Sequence, residues 1–211
     1  MNLESISINR ILNKPLKDKP LYISLGQDCP YLEQFKNLDQ KELDNWIQNI
    51  HAKHGVSWSI SGDRENRVDL YRQNKQIVRE GRTVHLGLDI IAAAGTPLYS
   101  PIDTEVVHVE YEKGTGNYGW LIVLKCKVDE TALYLLFGHL AKNKLAPIGT
   151  KLRAGQVFGQ IGDFHENGNW FHHTHMQILT TRGFKEGWLH KALCTPKDLA
   201  TIDECCPSPC Y

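Results

Sequence analysis

Two rhythms of apolar positions divide the chain. Residues 1–37 mix Pro15, Pro20, Gly26 and Pro30 with short apolar pieces, which suits an irregular or partly extended arm rather than a packed unit. Between Asp39 and about Lys53, Leu43, Trp46, Ile47 and Ile50 fall at i, i+3, i+4 and i+7, behind a cap at Asn37 or Asp39 and ahead of Gly55. This spacing predicts one amphipathic helix whose stripe packs on the domain beside it. After Gly55 the texture turns to short alternating or apolar segments punctuated by Gly, Pro and Asn, the pattern of an antiparallel β domain. Strands are expected near 83–91, 97–100, 104–111, 119–127, 131–137, 157–161 and 173–180, with a hairpin loop over Lys113 to Gly119 and tight turns at Gly149, Gly155, Gly159 and Gly162. The Pro- and Cys-rich stretch from Cys194 onward is expected to leave the domain. The division is therefore an arm and helix over 1–54, a β domain over 55–193 and a tail over 194–211.

Polar residues interrupt two of these strands in a way that suggests chemistry. In Val84 to Ile90, His85 and Asp89 share parity with Gly87, while Leu86, Leu88 and Ile90 take the other face. Gly87 then leaves room between the two polar side chains for an ion. Alone, such a pair is more often a solvated one. Near 173–178 the logic repeats, with His173 and His175 on one face and Thr174, Met176 and Ile178 on the other. A hydrolytic zinc site takes three protein ligands from His, Asp or Glu and leaves a fourth position open, and His85, Asp89 and one of these histidines meet that count. One carboxylate with two neutral imidazoles leaves a dication at a net charge of plus one, enough to acidify water and polarise a carbonyl. His139 stands just past an apolar strand, where a lone histidine is more often structural.

Taken together, His85 to Asp89, His139 within Phe137-Gly138-His139-Leu140, and His173 to His175 form an HxxxD, isolated-His, HxH series. The series resembles that of the lysostaphin-type zinc metalloendopeptidases, and Gly95-Thr96-Pro97, Ser100-Pro101 and the Ile148 to Gly162 turns resemble the family's connectors. The likeness runs from about residue 80 to 180. It implies a mainly β, duplicated hybrid fold of two antiparallel sheets forming a groove, with His85, Asp89 and His175 holding Zn2+ on its floor. It makes His139 and His173 the catalytic histidines beside the metal and leaves His172 on the opposite face. The chain has no HExxH helix, so no glutamate is placed as general base and histidine must move the protons. The implied reaction is hydrolysis of a peptide bond in a peptide or peptidoglycan-like substrate, in cell-wall or glycine-rich peptides. Met176 and Gln177 depart from the family's usual aromatic and acidic pair, and Phe137 stands where tyrosine is common. The His165 to Trp170 loop resembles that of a subgroup fused to aminotransferase-like domains; His165 and Glu166 read there as a solvated pair.

Composition narrows the partners. Lys plus Arg and Asp plus Glu are 24 each, so no large field favours nucleic acid or an anionic membrane. No apolar run is long enough to span a bilayer, and the start lacks the n- and h-regions of a secretory signal. That points to the cytoplasm or to a non-classical export route. Of six cysteines only Cys205, Cys206 and Cys210 cluster, without zinc-knuckle spacing, so a mostly reduced chain is expected, with free thiols or a local disulfide in the tail. Two rival readings stand beside the hydrolase. A non-catalytic zinc-binding or regulatory module of the same fold would not need all five polar positions, and a phosphocarrier would need a nucleophilic histidine but no aspartate ligand.

Overall fold

Alternation of side chains across an extended backbone organises the centre of the molecule, because Leu133, Leu135 and Phe137 go to one face and Leu136 to the other. A computed structural model describes residues 3–14, 19–72 and 74–209; Cys210 and Pro15 lie outside them. Along the chain run α1 (Ile8–Ile11), β1 (Leu21–Tyr22), α2 (Leu32–Phe35), α3 (Gln40–His54), β2 (Trp58–Ser61), α4 (Val68–Tyr71), α5 (Lys75–Glu80), β3 (Val84–His85), β4 (Leu88–Ala92) and β5 (Pro97–Tyr99). There follow β6 (Thr104–Glu112), β7 (Gly119–Val128), β8 (Thr131–Leu140), β9 (Lys151–Leu152), β10 (Val157–Gln160), β11 (His173–Thr180), α6 (Thr181–Lys185) and β12 (Leu193–Cys194). The molecule is mainly β, as expected. Its strands form an eight-stranded sheet in the order β1-β2-β4-β11-β8-β7-β6-β9, and two two-stranded sheets, β10-β5 and β12-β3. Every pairing is antiparallel except β1 with β2.

Helix α3 forms where the periodicity places it. Asp39 accepts from the backbone of Lys41 and Glu42 while Glu42 returns a bond to the Asp39 backbone, and Gly55 ends the helix in the left-handed region. Leu43 and Ile47 bury against Ile91 and Phe171.

Three expectations change. The arm is packed: Ile6, Ile8 and Ile11 bury on the same face of the large sheet as Leu88, Ile90 and Ile178, and Leu25 and Phe35 join the α3 cluster. Its apolar pieces are too short for a periodic signal, yet each finds a buried seat. The tail does not leave either. Ile202, Cys205 and Cys206 cover the opposite face of the sheet with Val123, Leu136 and Leu179, and β12 pairs with β3.

The strand expected over 83–91 is broken at Gly87, whose φ of 89° is left-handed. A Cβ at Gly87 would sit on the Met176 carbonyl oxygen, so only glycine lets β11 come this close. The break also moves Leu86 to the tail-covered cluster with Val84, while Leu88 and Ile90 stay on the other face.

Candidate metal centre

Asp89 and His175 are direct cross-strand partners between β4 and β11, and His85 reaches them from β3. His85 Nε2 lies 3.0 Å from His175 Nδ1, and Asp89 Oδ1 is 3.2 Å from each of these nitrogens. All three side chains are buried.

The remote atoms of the three residues decide what the near ones can do. His85 Nδ1 donates to the Gly62 carbonyl oxygen at 3.1 Å, and His175 Nε2 donates to Gln177 Oε1 at 3.2 Å. Each imidazole therefore turns a lone pair inward, where a carboxylate oxygen also points. With both rings neutral in these tautomers, three acceptors would face one another at 3.0–3.2 Å, a set that a cation at their centre would satisfy. Ligands at zinc distances on a tetrahedron stand about 3.3 Å apart, close to these separations. The donor set thus fits a dication of zinc's size and taste.

Beside this triangle stand His139 and His173, their ring centroids 4.4 Å apart. His173 Nδ1 donates to the Phe171 carbonyl oxygen at 2.8 Å and His139 Nδ1 to that of Asn167 at 2.7 Å, so in both rings Nε2 is the nitrogen without a hydrogen. His173 Nε2 is 3.6 Å from Asp89 Oδ1, beyond a hydrogen bond. Burial pushes the His139 imidazole well below its ordinary value and that of His173 down to about 4, and it lowers His85. Burial alone would raise the Asp89 carboxyl, but the neighbouring His85 and Arg67 outweigh it and hold the group well below the usual carboxylate range.

His139 is held with an unusual backbone, φ 63°, and its N–H donates to the Tyr118 carbonyl oxygen. Two loops fix that geometry: Gly116 N–H donates to the Gly168 carbonyl oxygen, Trp170 Nε1 donates to the Asn117 carbonyl oxygen, and Gly168 lies where a Cβ would strike that same oxygen.

His172 stays out of the cluster. It bridges Asp44 of α3 and Asp163, at 3.2 and 3.1 Å. His165 is exposed between Asp163 and Glu166, away from the cavity, and Glu166 accepts from the Lys142 backbone.

Several residues around the centre carry no sequence signal. Arg67 is 2% exposed and donates from Nη1 to Asp89 Oδ2 at 2.6 Å. Gln177 Nε2 donates to Cys206 Sγ at 3.1 Å, linking the tail to His175. Tyr118, its phenol pushed well above the ordinary value by burial, has its ring centroid 5.4 Å from that of His175. Arg67 reaches Asp89 across 22 residues and Gln177 reaches Cys206 across 29, which no local spacing reveals; Tyr118 alone sits in a recognisable loop.

The centre opens into a cavity of about 160 Å³, whose walls include Tyr71 and Ile77 from the α4–α5 segment and His190 and Leu193 from beyond β11.

Residues 83–185 match Peptidase family M23, a stretch just under half of the chain. Among solved structures the chain is similar to a zinc-containing peptidase from Vibrio cholerae, at 24% identity and a TM-score of 0.39 over 46% of this chain and 28% of that one. It is also similar to the catalytic domain of the antimicrobial peptidase lysostaphin from Staphylococcus simulans, at 20% identity and a TM-score of 0.41 over 56% of this chain and 79% of that one. No curated protein matches.

Proposed function

We propose, with residues 83–185 matching Peptidase family M23 as the premise, that this chain is a zinc-dependent peptide hydrolase. His85, Asp89 and His175 are its ligands, and His139 and His173 its catalytic residues. The observation that carries the reading is the triangle of inward-turned acceptors at 3.0–3.2 Å, each histidine held in the tautomer a metal requires. When bound, zinc supplies a Lewis acid that polarises a substrate carbonyl and makes water more acidic.

The chain's own groups do the rest. His173, neutral with its Nε2 lone pair available, takes a proton from the attacking water. That proton passes from His173 to the amine nitrogen as the C–N bond breaks, while His139, whose Nδ1–H is committed to Asn167, steadies the oxygen on which negative charge develops when its Nε2 carries a proton drawn from solvent. Burial beneath the loops excludes bulk water and strengthens both interactions. Phosphoryl transfer fits less well, because a phosphocarrier needs a nucleophilic histidine but gives a buried aspartate beside two imidazoles no role.

The substrate class proposed is a peptide, with peptidoglycan-like or glycine-rich stretches favoured because the small cavity admits little side-chain bulk. Where such a substrate meets this chain, in the cytoplasm or after non-classical export, is part of the same proposal. Metal analysis joined to cleavage of purified cell wall and a peptide library, read by mass spectrometry, tests it. About one zinc per chain with cleavage by the wild type supports the reading. Tightly held zinc without cleavage of any substrate would leave the non-catalytic module as the better one.

A further inference from the structure

Arg67 lies outside the stretch that matches the family, yet its guanidinium ends inside the metal centre. A cation buried to 2% exposure is expensive unless opposite charge and hydrogen bonds surround it. Here Nε donates to Glu65 Oε2 at 3.0 Å, Nη2 to Ser61 Oγ at 2.9 Å and Nη1 to Asp89 Oδ2 at 2.6 Å. Glu65 is itself saturated, accepting from the Tyr22 hydroxyl at 2.8 Å and from Ser61 Oγ at 3.1 Å. Glu65 therefore cannot turn toward the metal ligands, and it cancels the charge that Arg67 would otherwise add beside a dication.

The bond to Asp89 divides that carboxylate. Oδ2 is spent on Arg67, and Oδ1 alone faces His85 and His175. A carboxylate with both oxygens available can clasp an ion with two; one clamped by a planar guanidinium offers a single oxygen in a fixed direction. That leaves the fourth position of a tetrahedral ion open for water or substrate.

We propose that Arg67 is a positioning residue that holds Asp89 as a one-oxygen metal ligand. The inference rests on the zinc reading above and specifies how this chain supports its ligand from residues 61–67.

Cobalt(II) titration of the full-length protein tests it, with visible absorption reporting coordination number, a competing chelator reporting affinity and circular dichroism reporting fold. The wild type should take up one cobalt with the intense absorption of a four-coordinate ion. Folded Arg67→Met should bind about 10- to 100-fold more weakly, the range seen when partners of metal ligands are removed, and its absorption should weaken as the second Asp89 oxygen joins. Arg67→Lys keeps the charge without the planar fork, so it should recover part of the affinity but not the band intensity. Unchanged affinity and band in folded Arg67→Met overturn the inference. If that variant does not fold, Arg67→Lys decides: a weaker band supports the role, and a wild-type spectrum overturns it. A wild type that takes up no cobalt overturns the metal reading itself, and this inference with it.

Discussion

At the scale of the residue, ligand and catalyst separate by what is lost with each side chain. His85→Ala, Asp89→Ala and His175→Ala are expected to lose both zinc and hydrolysis, since each removes one corner of the triangle. His139→Ala and His173→Ala should keep the metal and lose hydrolysis by about 10² or more, the range for a missing proton-transfer or oxyanion group. Metal content beside single-turnover cleavage reads both; zinc retained in His175→Ala but released from His173→Ala would exchange their roles. Gly87→Ala should destabilise by about 2–4 kcal/mol in urea unfolding, because it sets a Cβ at positive φ against the Met176 carbonyl. Four of the five polar residues of the centre were legible as short spaced pairs, whereas the isolated His139 joined them only through the family resemblance. Arg67, Glu65 and Asn167 were not: Arg67 reaches Asp89 and Glu65 accepts from Tyr22 across long stretches of chain, and Asn167 bonds backbone groups, none of which leaves a mark on local sequence.

Elements were legible where periodicity is long. Helix α3 and strands β6, β7, β8 and β11 fall close to the expected ranges, whereas β1, β2, β9 and β12, of two to four residues, carry no alternation to read. What α3 does for the site was also hidden. Gln40 Oε1 accepts from Phe171 N–H and Asp44 Oδ1 from His172 N–H, so the helix grips the approach to β11. His172 adds a titratable link. Its hydrogen bond to Asp44, then that to Asp163, raises its imidazole above the ordinary value. A raised folded-state value means that the contribution is complete below the unfolded value of about 6.5 and fades as pH climbs through the folded one. Urea unfolding across that window should show a stability loss with rising pH that His172→Gln lacks, while the variant keeps zinc and hydrolysis. A His172→Gln profile parallel to the wild type would remove the helix anchor from the account.

On the scale of the whole molecule, the sequence marks the mainly β body but not its two covers. The arm on one face and the tail on the other both lack periodicity, and both are buried. Ending the chain after Lys197 removes Ile202, Cys205 and Cys206 from the sheet and the thiol partner from Gln177. It is expected to cost at least about 3 kcal/mol, from the apolar area exposed and the cavity left. Thermal and urea melts check this, and an unchanged midpoint would return the tail to a mere appendage.

The pairing of β12 with β3 matters for the order in which the molecule is made. His85 lies on a two-residue strand opposite Leu193; on its other side its N–H donates to the Glu65 carbonyl oxygen and its own carbonyl oxygen accepts from Arg64 N–H. A ribosome that has released residues through 185 has delivered His85, Asp89, His139, His173 and His175, yet the strand that carries His85 still lacks its sheet partner. Vectorial synthesis therefore defers the finished cluster until Leu193 and Cys194 have followed, so its polar side chains do not come to rest ahead of the strand that braces His85.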